Sequence, residues 1–371
     1  MSDSDGDSMD WATPQYKRAE VDRAGRGLAN PTMTPDNPDQ ILMVVDNWRS
    51  SHSYPLHALT QNLRVRANAI DQDALIAQRL KRLNAIVFKL QRQPKMRLSQ
   101  MQDIGGCRAV VKDCLSVDAL VSRFERTKTK CWELQGKDDY IIKPKLDSYR
   151  SIHLVYRYCN PSTERSVYNK LRIELQIRSH LQHAWATALE TVDTFTRQAL
   201  KADKGNPDWQ RFFALMGASM ALREGRSSVP NTPAIKTELF DEIAHLAKRL
   251  KVIRTLAVWT DAIKITQESR KPGNLFLLTL DLRKKTMQTR TFPSHLTREA
   301  SEVYSQLEKQ NMGNIDIQSV LVSVNSLDAL RAAYPNYYMD TTDFLKIVRE
   351  DIDPQMRLLH RSKRALSELF R

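Results

Sequence analysis

Apolar positions recur every three or four residues from Asp39 onward, at Ile41, Val44, Val45 and Trp48, and predict a helix that breaks near Tyr54-Pro55. A second stripe, Ile76, Leu80, Leu83, Val87 and Leu90, predicts another helix, with Asp73 as its cap and Pro94 as its stop. The pattern then shortens. Arg108–Val111 follows a Gly-Gly pair as a strand, Leu115 to Arg126 reads as a helix, and Ser151 to Tyr158 is β-branched and aromatic. Arg172 to Arg178 alternates strictly, placing Ile173, Leu175 and Ile177 on one face and Arg172, Glu174, Gln176 and Arg178 on the other. From His180 to about Lys264 the period is helical, with breaks at 204–207 and 225–233. A hairpin (275–282 and 286–292), a helix (297–309), a strand (315–324) and a helical region from Leu327 complete the chain. No internal repeat is present.

The fold class expected from this order is α/β (α+β): a mixed central sheet flanked by helices, then a helical segment and a small C-terminal α/β domain. The expected divisions are a disordered arm at 1–38, rich in Pro, Asp, Asn, Ser and Gly; a main domain at 39–225; a helical connector at 226–270; and a small α/β domain with a basic helical tail at 271–371.

Composition narrows the classes. The 371 residues, 41% hydrophobic, suffice for two or three domains with a real core. The four cysteines never form a C-x-x-C pair, which argues against a disulfide framework and a structural zinc site. No apolar run reaches membrane-spanning length and the N-terminus is acidic and polar, so a soluble, cytoplasmic chain is expected, with no membrane partner. The net charge is +14, and nine basic residues against two acidic ones lie between Gln61 and Arg97. Such a surplus suits a polyanion, although a charge run is ordinarily a solvated face.

Four segments carry candidate chemistry. Glu174 sits between guanidinium groups on the polar row of its strand, which reads either as a wet face or as the lining of a site. Asp103-Ile-Gly-Gly106 puts a carboxylate at a strand entrance, where it could hold a metal or simply form a turn. Lys143-Pro-Lys145 with Tyr149-Arg-Ser-Ile-His153 reads as a basic loop entering a strand, or as a phosphate clamp with an aromatic plate. Arg79-Leu-Lys81, with Lys89 eight residues on, projects from the margins of the predicted helix. His180 and His183 share a helix face, but without a third ligand they read as packing or support. Asp71-x-Asp73 and Asp351-x-Asp353 resemble nucleotidyltransferase D-x-D pairs, but Asp73 reads better as a helix cap and the second pair lies near the C-terminus, while the basic tail 357–371 reads as a solvated helix.

Together, and in this order, the four segments resemble the RelA/SpoT-type (p)ppGpp synthetase domain: R-x-K-x(7)-K, D-I-G-G-x-R, D-Y-I-x-x-P-K-x-x-x-Y-R-S-x-H and E-x-Q-I-R. The match runs from about Ile41 to Arg223. The resemblance implies transfer of pyrophosphate from ATP to the 3′-OH of GDP or GTP. It further implies that Arg79, Lys81, Lys89 and Arg108 hold ATP, and that Asp103 and Glu174 coordinate Mg²⁺, with Glu174 also the general base. Tyr149 would stack on the acceptor base, while Lys145, Arg150, His153, Gln176 and Arg178 position its phosphates and ribose. Two departures bear on the acceptor: Ala85 stands where a serine is usual, and Ser148 where a glycine precedes the stacking tyrosine. No His-Asp pair occurs, so the alarmone-hydrolase half of bifunctional relatives has no counterpart. Two further readings stay open: a toxin-type member acting on the tRNA 3′ end or on adenine nucleotides, and a catalytically silent nucleotide-binding regulator. A homo-oligomer and an autoregulatory C-terminal domain are compatible with the sequence.

Overall fold

The computed structural model describes residues 11–30, 37–127, 129–145, 148–196, 206–262, 264–268, 274–314, 316–324, 326–335, 337–338 and 340–353. The expected positions 1–10, 31–36 and the basic tail 357–371 lie outside them. A nine-stranded mixed sheet runs through the molecule. Its strands are β1 (Leu75–Leu80), β2 (Gly105–Val111), β3 (Trp132–Asp139), β4 (Ile152–Tyr158), β5 (Arg172–Ser179), β6 (Lys264–Glu268), β7 (Leu275–Asp281), β8 (Thr286–Phe292) and β9 (Ile317–Ser323), in the spatial order β3-β4-β5-β2-β1-β9-β7-β8-β6. β2 and β5 are parallel neighbours, and β1 pairs antiparallel with β2 on one side and with β9 on the other. Through that second ladder the strands after residue 270 continue the sheet begun by residues 75–179.

Helices cover both faces. On one, α3 (Ser53–Asn68) and α5 (Cys114–Arg126) bury the odd-numbered row Cys107, Ala109, Ile173, Leu175 and Ile177, and α10 (Thr297–Gln310) covers Leu275, Leu277 and Leu321. On the other, α11 (Leu327–Ala333) packs over Ala77, Leu278 and Val322. A separate apolar cluster joins α6 (His180–Thr196), α7 (Pro207–Arg223), α8 (Lys236–Arg249), α9 (Val252–Ala262) and α12 (Thr342–Ile352).

Three expectations are corrected. The segment 75–80 is a strand, not the first turns of a helix, so Arg79-Leu-Lys81 stands at a strand end; the helix α4 (Leu83–Arg92) begins only after it. A spacing of four residues returns to the same side in both helix and strand, so Ile76 and Leu80 could not discriminate. The two ladders to β2 and β9 decide the matter, and Asp73 lies in a turn rather than capping a helix. The arm is not uniformly disordered: α1 (Arg18–Ala29) buries Val21, Ala24 and Leu28 beside α2 (Pro38–Ser50) and α4. The break near Pro55 is an α3 first turn, where proline costs no hydrogen bond.

Gly105 is required by packing. A Cβ there would sit 2.7 Å from Ile173 Cδ1, in the fully buried core. Gly105→Ala is expected to lower unfolding free energy by about 1–3 kcal/mol, and Gly105→Ala with Ile173→Val, which removes the clashing carbon, to recover part of it. Urea denaturation of the two variants checks this; an unchanged single variant would contradict the packing account.

Candidate functional site

Parallel pairing of β2 with β5 sets Gly106 beside Glu174 and Arg108 beside Gln176, and antiparallel pairing sets His153 beside Gln176. In-register partners share a face, so the polar row of β5 faces away from the apolar core under α3 and α5. It opens into a cleft of about 350 Å³ lined by Arg79, Asp103, Arg108, Lys145, Tyr149, His153, Glu174, Gln176 and Arg178, all expected from the sequence.

Asp103, three residues before Gly106, receives Lys81 Nζ at 2.5 Å on one oxygen and Lys89 Nζ at 2.9 Å on the other. Burial alone would raise its pKa, but the two ammonium groups outweigh this and hold it at about 2. A depressed carboxylate pKa contributes stability that is complete above the unfolded value of 3.8 and lost as pH falls through about 2. Acid unfolding followed by circular dichroism is therefore expected to steepen over that window in the wild type and to flatten in Asp103→Asn. Equal slopes would contradict the ion-pair account.

Glu174 accepts from His153 Nδ1 at 3.0 Å and from Gln176 Nε2 at 2.6 Å. Burial pushes its pKa up, and the contacts with His153 and Gln176 reverse this, leaving it below its ordinary value. His153 Nε2 lies 3.0 Å from the Tyr149 hydroxyl. A neutral imidazole satisfies both contacts, with Nδ1–H donating to Glu174 and Nε2 accepting from the phenol. Lys145 Nζ stands 4.2 Å from the Tyr140 ring centroid and 5.1 Å from that of Tyr149. One face of the expected base plate is thus shared with a cation, and Tyr140, a motif residue given no role, completes the pair. Ser148, before Tyr149, takes φ 68°, the left-handed conformation that a glycine adopts without strain.

Arg150 departs from expectation. Its guanidinium donates to Ser227 O at 2.8 Å and Ile141 O at 2.9 Å and is 4% exposed, so it staples the loop under the cleft instead of facing the acceptor. Arg178 donates to His183 Nδ1 at 2.6 Å, and His183 Nε2 lies 2.9 Å from Ala332 O. His183 is therefore a supporting residue, as read, and His180 is exposed. Arg108 donates to Ala333 O, and its guanidinium lies 5.0 Å from the Tyr334 ring centroid. The Nε atoms of Arg108 and Arg178 are buried without a hydrogen-bond partner.

Arg92, Glu190 and Tyr334 also line the cleft and were not singled out from the sequence. Arg92 belonged to the counted basic run; Glu190 and Tyr334 gave no local signal, because one follows on a helix and the other arrives from the far end of the chain. Among the described residues no group of three or more metal-capable side chains occurs, and no helix is long and apolar enough to cross a membrane.

Residues 78–193 match a region found in RelA / SpoT proteins. No curated protein matches the chain. Among solved structures, the chain is similar to small alarmone synthetase 2 from Bacillus subtilis, with 19% identity over 48% of this chain and 93% of that one and a TM-score of 0.41. It is similar also to B. subtilis small alarmone synthetase 1 bound to its product pppGpp, with 20% identity over 48% and 94% and a TM-score of 0.39. A GTP pyrophosphokinase family protein from Streptococcus pneumoniae shows 18% identity over 48% and 89%, with a TM-score of 0.39. The cleft's three carboxylates, Asp103, Glu174 and Glu190, and its lining arginines and lysine lie inside the matched segment, and this chain carries a RelA/SpoT-type region at residues 78–193.

Proposed function

We propose that the cleft transfers pyrophosphate from ATP to a ribose 3′-hydroxyl, with GDP or GTP as the acceptor that the family resemblance implies. The observation that carries the reading is the meeting of Asp103 and Glu174 in one cleft with the guanidinium groups of Arg79, Arg108 and Arg178. Donor triphosphate and acceptor phosphates repel one another, so transfer asks for positioning and charge neutralisation. Arg79, Lys81, Lys89 and Arg108 are suited to the donor phosphates, and Lys145 and Arg178 to the acceptor. Glu174, ionised and fixed by His153 and Gln176, accepts the proton of the 3′-hydroxyl as its oxygen bonds to the β-phosphorus; the bond from that phosphorus to the α-phosphate oxygen breaks, and AMP leaves.

The donor set fits a divalent cation such as Mg²⁺, which commonly takes one or two carboxylates and completes its shell with substrate phosphates and water. Each oxygen of Asp103 and Glu174 has one recorded protein partner and keeps a second lone pair. Bound there, the ion would neutralise phosphate charge.

A second acceptor, the 3′ end of tRNA, is favoured by the net charge of +14 and the basic run at 61–97. The intact carboxylates count against a silent regulator. Incubation of the purified chain with γ-labelled ATP and, separately, GDP, GTP, ADP or deacylated tRNA tests all of these. Label on guanosine nucleotides is the expected result, label on tRNA or ADP selects the other acceptors, and transfer to none refutes the enzyme.

The same reading gives the C-terminal segment a restraining role. What supports it is the seating of the Ala332 and Ala333 carbonyls, at the partially negative end of α11, on His183 and Arg108, with Tyr334 against Arg108. The Ala333 and Tyr334 contacts occupy Arg108, a cation that a nucleotide would need.

A further inference from the structure

The helix that presents Lys89 has no cap of its own. Its N-cap residue, Arg82, makes no side-chain capping bond, and a helix leaves its first backbone N–H groups without internal partners. The partner of the Leu83 amide comes from the distant C-terminal half: Glu308 Oε1, on α10, accepts it at 2.8 Å. That carboxylate is itself fixed. Arg49, 1% exposed on α2, donates to its other oxygen and to Ser305 Oγ at 3.2 Å, and the Tyr304 hydroxyl donates to Oε1 at 2.9 Å. On the same turn, Arg82 Nη1 donates to Gln318 Oε1 on β9 at 3.2 Å.

The turn so held is the one that aims the donor cations. Lys81 precedes it, with its backbone N–H bonded to Ile104 O at 2.8 Å and its ammonium on Asp103; Lys89 follows on α4 with its ammonium on the same carboxylate. A buried anion at a helix N-terminus is stabilised by the aligned peptide dipoles, and it fixes where the first turn sits. Frayed, that turn would release both lysines from a common orientation.

We propose that Glu308 is a positioning residue for the ATP site, capping α4 in trans of the RelA/SpoT-type region so that Lys81 and Lys89 converge on Asp103. The inference rests on the reading of the cleft as an ATP site and names a determinant of that site outside residues 78–193. It makes the C-terminal half a structural part of the donor side.

Removing Glu308 alone would leave the buried Arg49 with only the Asp46 carboxylate, 3.4 Å away, so the test uses paired substitutions that remove the Arg49–Glu308 ion pair together. Arg49→Met with Glu308→Gln keeps an acceptor for the Leu83 amide, and Arg49→Met with Glu308→Leu does not. ATP binding is measured by calorimetry on the full chain, with kcat and KM for ATP where turnover is seen. The Gln pair is expected to bind within about threefold of wild type and the Leu pair about tenfold more weakly, with kcat at saturating ATP nearly unchanged. Equal affinities in the two pairs would overturn the proposal. Absence of ATP binding by the wild type would instead overturn the reading of the cleft, and this inference with it. Hydrogen exchange in the unmodified chain supplies a measurement that needs no variant: the Leu83 amide is expected to be protected, and exchange at the free-peptide rate would contradict the cap.

Discussion

Glu174→Gln is expected to lower pyrophosphate transfer by about a thousandfold while leaving the protein folded. The substitution keeps the length and shape of the side chain and an oxygen that can accept from His153 Nδ1, which lies 3.0 Å from the carboxylate. Gln176, 2.6 Å away, can rotate its amide to meet the new one. What disappears is the negative charge and the basic lone pair that the proposed proton transfer needs. The core behind β5, built from Ile173, Leu175 and Ile177, is untouched, so the melting temperature is expected to move by no more than about 5 °C. Initial rates at saturating substrates, with near-ultraviolet circular dichroism as the folding control, make the comparison. A folded variant with wild-type turnover would remove Glu174 from the chemistry.

The second large effect has the opposite sign. Tyr334→Ala is expected to raise turnover at subsaturating ATP by about tenfold. Tyr334 is 5% exposed and lies against the Arg108 guanidinium, one residue after the Ala333 carbonyl that takes an Arg108 N–H. If the segment restrains the cleft as proposed, the cation–π contact and the Arg108–Ala333 hydrogen bond would bias it towards a covered state. A loss of roughly 1.4 kcal/mol in that bias changes the open population tenfold. The gain is expected in the apparent KM for ATP and to fade at saturation, where bound ATP itself displaces the segment. A fall in affinity would show instead that Tyr334 is part of the nucleotide site rather than its cover.

Much of this site was legible before any coordinates. Strict alternation in Arg172–Arg178 is a local signal with one physical meaning, and β5 carries the expected faces: Ile173, Leu175 and Ile177 are buried and Glu174 and Gln176 face the cleft. Asp103 stands at the entrance of β2, as read, because the Gly-Gly pair allows close packing there, with Gly105 pressed against Ile173. Other features depend on partners that a local window does not contain. β3 is exposed along nearly its whole length and has no apolar period; pairing with β4 alone makes it a strand. The strand character of Arg79 comes from ladders to β2 and β9, the latter formed by residues more than two hundred positions later. Arg150 sits in a motif whose resemblance implies contact with the acceptor, yet its Nη1 and Nη2 each donate to a backbone carbonyl and the side chain lies buried outside the cleft. Glu308 and Tyr334 reach the donor side only through the sheet that joins β1 to β9, and no spacing in the sequence announces that junction.

Under the proposed function, ATP gives up a pyrophosphate unit in this cleft. This transfer is tested most directly by following ATP labelled in its α-phosphate and, in parallel, in its γ-phosphate, with the acceptor that takes label. The account requires AMP to appear one-for-one with the modified acceptor, carrying the α-label while the γ-label moves to the 3′-position. Appearance of ADP in its place, or of AMP with free pyrophosphate and no labelled acceptor, would contradict it.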